Sequence, residues 1–246
     1  MSAASIVFLA SVAFIAGLAR GFSGFGSALI LAPIANAVVN PTLVAPLLLI
    51  VDSVPSIALI PNAWRKANKK EVATMAAGAI LGIPLGTWIL THSEPITVRW
   101  IIVCAVIPAL VLLVSGWRYH GQPRTSLTVG VGSLSGVFSG LAQIGGPPVI
   151  LYWLSGQGQS GSVRANIILF FACTMIVNTI TYIIGGLFTS EVMWLSFATL
   201  PTFSLGMWLG SRMFGLAKEQ TFRNICYALI AIASLIGLPV FDGALR

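Results

Sequence analysis

Ten apolar runs, each parted from the next by a few polar, glycine or proline residues, govern what this chain can fold into. They cover 3–19, 24–39, 42–62, 71–91, 96–116, 126–142, 147–157, 163–187, 191–213 and 222–241. A helix needs about 20 apolar residues to cross the hydrocarbon of a bilayer, and most of the runs approach that length. Charged residues make up 8% of the chain and hydrophobic ones 57%, whereas a soluble domain carries roughly 25% charged residues. Too little polar surface remains to cover a water-soluble core. The reading is therefore an all-α, polytopic membrane protein, folded as one domain over 1–246. Turn chemistry marks the breaks. Asn40 and Pro41 open the third run, WRKANKKE (64–71) follows it, and HSEP (92–95) parts the fourth from the fifth. WRYHGQPRTS (117–126) is the longest polar connection, and SGQGQSGS (155–162) is a Gly/Ser loop.

The net charge of +7 does not point to nucleic acid, because basic residues of a membrane protein collect in its cytoplasmic loops. With the loop of Arg65, Lys66, Lys69 and Lys70 in the cytoplasm and all ten runs reversing in turn, 11 of the 13 basic residues fall inside. Arg99 and Arg246 are the exceptions. Treating 126–157 as one broken span flips the second half and leaves eight inside, so the alternating topology is preferred. The run 147–157 is too short for a full crossing at about 1.5 Å per residue. It reads as half of a broken or re-entrant hairpin, and 24–39 as either a span or a second re-entrant segment. Met1 to Ser5 holds no Lys or Arg, unlike the charged start of a secretory signal, so the first run is expected to be a retained helix.

Three matches in register suggest an internal duplication. Gly21 to Ser27 (GFSGFGS) aligns with Gly140 to Gly146 (GLAQIGG) at an offset of 119. Leu85 to Trp88 aligns with Leu205 to Trp208 at 120, and Thr97 to Arg99 with Thr221 to Arg223 at 124. The expectation is two five-segment repeats, 1–120 and 121–246. Five is odd, so the second repeat is inverted relative to the first, an arrangement common in transporters.

The aligned Gly-rich breaks are where chemistry is expected. Pro147 and Pro148 favour the first turn of a helix, here one that begins inside the membrane after Gln143, Ile144, Gly145 and Gly146. Free N–H groups at such a start are costly in lipid and suit an anion. The first break offers Gly21, Ser23, Gly24, Phe25, Gly26 and Ser27. Inversion would bring the two starts together around an anion, with Gln143 and Asn166 as further polar partners. The competing reading is that both breaks are only tight turns. Gly78, Gly82 and Gly86, Gly132, Gly136 and Gly140, and Gly206 with Gly210 recur every four residues, the spacing of close helix contact in lipid.

Asp52 is the one acid well inside a run, and intramembrane acids often serve proton or cation coupling. It could equally cap a local kink or pair with Arg20 or Arg164. Those two arginines, each near a break or the loop after it, are candidates for anion attraction or for interface anchoring. Phe25 and Trp153 could flank an apolar part of a substrate. Cys104, Cys173 and Cys226 lack metal-ligand spacing and read as packing residues. No catalytic set, metal cluster or cofactor motif is legible, so neither an enzyme nor a cofactor is expected. The expected partners are a small organic or inorganic anion, the lipid bilayer, a coupling proton or sodium ion, and a second copy of the chain if it is a homo-oligomer.

At GFSGFG (21–26) and at Gly145, Gly146 and Pro147, in a duplicated layout of this length, the chain resembles the TauE/SafE family. The family is also called the 4-toluene sulfonate uptake permease (TSUP) family. The resemblance implies a permease for sulfur-containing anions in the bacterial inner membrane: sulfite, sulfoacetate, aryl sulfonates or other organic acids. The bulk of Phe25 and Trp153 favours an aryl sulfonate. An anion channel, or a transporter of another small organic acid, is the alternative.

Overall fold

The computed structural model describes residues 3–23, 26–116, 124–154, 160–213 and 219–241. Every one of the ten runs is helical. The helices are α1 (Ala3–Ser23), α2 (Ser27–Val38), α3 (Pro41–Ser56), α4 (Ile60–Lys66), α5 (Lys69–His92), α6 (Pro95–Ser115), α7 (Thr125–Ala142), α8 (Gly146–Leu154), α9 (Ser160–Ile184), α10 (Ser190–Met213) and α11 (Glu219–Gly237). A 3-10 turn, Ile57–Leu59, joins α3 to α4, so the third run is one rod with a tightened middle. Pro55 lies just before that turn and cannot donate to the helical ladder, which loosens it there.

Local sequence explains the ends. The Asn40 side chain accepts a hydrogen bond from the Thr42 N–H with Pro41 in the first turn of α3. Asn68 accepts from the Glu71 N–H at the start of α5. Both are side-chain caps that satisfy donors the helix cannot. Gly116 ends α6 in the left-handed region, at φ 64°, where a side chain would be strained.

Seven segments of the described residues are long and apolar enough to cross a membrane: Ser5–Phe22, Pro41–Lys66, Lys69–His92, Pro95–Ser115, Thr125–Ala142, Gly161–Ile184 and Ser190–Met213. Large side chains on their outer faces, such as Leu81, Ile184, Trp194 and Phe197, are more than two-thirds exposed. Such a surface needs lipid around it, so the chain is a multi-pass membrane protein. α2 and α8 are shorter, at 12 and 9 residues. At 1.5 Å per residue they reach about 18 and about 14 Å, against about 30 Å of hydrocarbon.

Helix direction follows from glycine contacts. A methyl on Gly78, Gly82 or Gly86 would strike the carbonyl oxygen of Val129, Ser133 or Val137 in turn. Both series ascend, so α5 and α7 run parallel, backbone against backbone. Gly17 and Gly21 meet the carbonyls of Phe203 and Met207 in the same way, so α1 and α10 are parallel too. Asn68 pairs with Asn166 and Thr87 with Thr181, which makes α9 parallel to α5.

These directions settle the path. α5, α7 and α9 all start on the face that carries the exposed Arg65, Lys66, Lys69 and Lys70, together with Arg124 and Arg164. That basic face is the cytoplasmic one by charge bias. α7 leaves it and α9 starts again from it, so α8 must return toward it. Its contacts agree: Ser135 bonds the Gly145 carbonyl and Thr128 bonds Tyr152, an antiparallel hairpin. By the same logic α1 and α3 both start from the opposite face, and α1–α2 is a hairpin inserted from there. The path requires the alternating topology and excludes 126–157 as a single crossing. Two basic residues differ from their expected surface roles. Arg20 is largely buried against Asp52, and Arg99 is buried with its guanidinium donating to the Gly237 carbonyl at the end of α11.

Candidate functional site

The turns of the two hairpins meet in one cavity of about 70 Å³. Gly26, Ser27, Ala28 and Leu29 bring the start of α2, and Gln143, Ile144, Gly146 and Pro147 bring the turn into α8. Asp52 and Ser53 come from α3, Phe171, Thr174 and Met175 from α9, and Arg20 and Ser139 from the ends of α1 and α7. Asp52 is 11 residues into the α3–α4 rod and Thr174 is 14 residues into α9. These depths are about 17 and about 21 Å, measured from opposite faces, which puts the cavity near mid-membrane.

The first break is built for backbone access. Gly26 caps α2 with φ 96° and no side-chain hydrogen bond, a conformation that suits glycine. Ile30 N–H is the first donor taken up, by the Gly26 carbonyl. The start of α2 therefore lines the cavity with the donors that every helix start leaves over. The second break offers fewer, because Pro147 and Pro148 bring no N–H. There the side chains do more. Gln143 is the only described non-glycine residue with positive φ, at 60°, an uncommon conformation that needs support. Tyr182 supplies it. Its hydroxyl accepts from Gln143 Nε2 at 3.1 Å and donates to the Gly140 carbonyl at 2.9 Å.

Among the described residues lining the cavity, charge comes from one ion pair. Arg20 Nη2 lies 3.0 Å from Asp52 Oδ2, with side-chain exposures of 12% and 30%. Ser27 Oγ donates to Asp52 Oδ1 at 3.0 Å. The pairing of Asp52 with Arg20 is one of the alternatives open from the sequence, and it lies within the cavity rather than apart from it. The Arg20 guanidinium also lies 5.9 Å from the Phe171 ring centroid, within cation–π range.

A family model described as sulfite exporter TauE/SafE matches residues 9–236. The chain belongs to this family. Neither a curated protein nor a solved structure matches it. TauE/SafE proteins are membrane transporters of sulfite and related sulfur anions, and a polytopic helical chain with an arginine in a cavity at mid-depth accords with that role.

Seven residues singled out in the sequence line the cavity of this TauE/SafE member: Arg20, Gly26, Ser27, Asp52, Gln143, Gly146 and Pro147. Others lie elsewhere. Gly21 packs against the Met207 carbonyl and Gly145 against Ser135 and Ser139, as close-contact glycines. Asn166 is buried at the basic face, where it accepts from the Asn68 N–H at 2.7 Å and donates to Glu71 at 3.3 Å. It ties α9 to the start of α5. Arg164 is exposed on that face. Trp153 is buried edge-on against Phe170 at 5.9 Å, in a cluster with Val72, Met75 and Val163. Gly24 and Phe25 lie outside the described residues, as does the side chain of Ser23. Ser53, Ser139, Phe171, Thr174 and Met175 were not singled out, because lone hydroxyls and apolar side chains in a membrane helix carry no signal of their own.

Proposed function

We propose that the chain is a secondary transporter of a small sulfur oxyanion, with sulfite as the first candidate, and that the anion binds beside Arg20. The observation that carries this reading is an arginine held at mid-membrane in a cavity where both helix breaks converge. A buried guanidinium is a strong oxyanion partner, and the leftover N–H groups of α2 add to it. Size separates the candidates. Cavities that hold drug-sized ligands measure about 300–1,000 Å³, whereas this one is near 70 Å³. It suits an anion of four or five heavy atoms. An aryl sulfonate would need the cavity to open, and Trp153, one of the two bulky residues that favoured it, packs elsewhere.

The inverted-repeat reading gains support from the glycine contacts. Gly17 and Gly21 face Phe203 and Met207 as Gly136 and Gly140 face Ala79 and Ile83. Gly206 and Gly210 face Phe14 and Leu18 as Gly82 and Gly86 face Ser133 and Val137. The register is 119 between α1 and α7 and 124 between α5 and α10. The latter differs by one helical turn from the 120 read at Leu85 and Leu205. In this reading the two hairpins rock against the rest and expose the cavity to each face in turn, as in other inverted-repeat transporters. Asp52 and the substrate compete for Arg20. A proton on Asp52 releases the guanidinium, so the anion enters with a proton.

Uptake into proteoliposomes tests this, with sulfite and toluene sulfonate offered with and without a pH gradient. Sulfite accumulation that follows the pH gradient is expected, with little toluene sulfonate uptake. Sulfite flux indifferent to the gradient would favour the channel alternative, and movement of neither anion would sink the transport reading.

A further inference from the structure

Resting on the reading that the cavity holds an oxyanion, we propose that Ser139 is a second, uncharged anion donor and sets the preference for oxyanions. Asn178 acts behind it as a positioning residue. The position comes first. Ser139 follows Arg20 by 119 residues, the spacing that relates Gly17 to Gly136 and Gly21 to Gly140 by their contacts. Arg20 and Ser139 thus hold corresponding places on α1 and α7, the two helices that run into the breaks, and both line the cavity. One half of the site supplies a charge and the other a hydroxyl.

The hydrogen bonding gives that hydroxyl its role. A serine in a helix commonly donates to the carbonyl one turn back, and Ser11, Ser56 and Ser234 do so here. Ser139 does not. Its Oγ accepts from Asn178 Nδ2 at 2.9 Å, and among the described residues it has no acceptor for its own proton. A hydroxyl has one proton to give, and here the cavity is the place left for it. Asn178 is fully buried and Tyr182, one turn further along α9, anchors the carbonyl of Gly140. The far side of the hydroxyl is therefore a fixed wall. Two donors that approach from different helices can each bond a separate oxygen of a pyramidal or tetrahedral oxyanion, whereas a single halide has to sit within reach of both at once.

The test is equilibrium binding of sulfite and of bromide to the purified full chain, with thermal stability measured alongside. Ser139→Ala is expected to weaken sulfite roughly tenfold, the loss of one hydrogen bond to a charged group, while bromide changes little. Ser139→Thr, which keeps the hydroxyl, should restore the preference. Asn178→Ala should narrow it as well, and the double variant Ser139→Ala with Asn178→Ala should be no worse than Ser139→Ala alone. Sulfite affinity unchanged in a folded Ser139→Ala protein would overturn the proposal, as would an equal loss of sulfite and bromide. Arg20→Gln distinguishes the two levels. If it leaves sulfite binding intact, the cavity reading itself fails. If it abolishes binding while Ser139→Ala does not weaken it, only the role of Ser139 fails.

Discussion

The Asp52 carboxylate faces the Arg20 guanidinium at 3.0 Å while its other oxygen accepts from Ser27. Among the described residues, the one cation lining the cavity is thus already occupied by an internal anion. A substrate anion must displace that carboxylate or find it protonated. Among the described residues lining the cavity, Arg20 and Asp52 are the only charged groups, contributed by α1 and α3. Those from α2, α7, α8 and α9 are neutral.

Replacing Asp52 by Asn removes the competitor and the proton site while keeping the shape. Uptake driven by a pH gradient is expected to fall to background, while exchange of labelled for unlabelled anion across proteoliposomes persists. Exchange and driven uptake lost together would argue against a coupling role.

The pair also bears on stability. Breaking a buried ion pair from one side costs about 3–5 kcal/mol, and partial solvent access at Asp52 reduces this to about 1–2 kcal/mol. Arg20→Gln is expected to lower Tm in detergent, and adding Asp52→Asn should recover most of the loss without restoring anion binding. A double variant as unstable as Arg20→Gln would mean that the guanidinium supports the fold by other contacts.

Two glycines should respond in opposite ways. A methyl at Gly82 meets the Ser133 carbonyl, a backbone atom that cannot step aside. Gly82→Ala is expected to destabilise the protein by about 1–3 kcal/mol, and Gly82→Leu to prevent folding. A methyl at Gly146 finds Ile150 at 3.6 Å and Phe171 at 3.7 Å, ordinary contact distances. Gly146→Ala should fold as well as the parent, while Gly146→Leu fills the cavity and abolishes transport. Folded yield by size-exclusion chromatography, beside uptake, separates the two.

Asn166 provides a contrast within the basic face. It bonds both the Asn68 N–H and Glu71, so Asn166→Leu should cost about 0.5–1.5 kcal/mol as two partly buried hydrogen bonds are lost. Sulfite affinity of the folded fraction should not change. A selective loss of affinity would return Asn166 to the binding machinery.

Much of the architecture was legible because lipid imposes it. A lipid-embedded backbone must be helical or a closed barrel, and continuous apolar runs of this length do not alternate as barrel strands do, so the ten runs mapped directly onto helices. The charge count chose the same topology that the parallel packing of α9 with α5 requires. The breaks were legible because glycine and proline leave local marks, and Gly26, Gln143, Gly146 and Pro147 stand where those marks put them. Asn166, Arg164 and Trp153 lie away from the cavity. Asn166 and Arg164 stand 8 and 10 residues before Thr174 on α9, about 12 and about 15 Å nearer the basic face, and Trp153 packs on Phe170. Ser139 had one signal available, its position 119 residues after Arg20, and that signal needs the register before it can be read.

The exchange of partners between halves has a consequence for how the chain is made. α1 leaves the ribosome well before α10, yet the surface it packs against belongs to α10, completed some 190 residues later. Until then its two glycines and the Arg20 end wait in the bilayer without their groove, held by α2 and α3 alone. The first half is thus a provisional assembly rather than a finished module. A ribosome that stalls after α6 should leave a fragment prone to degradation, and two separately encoded halves should rescue each other when produced together.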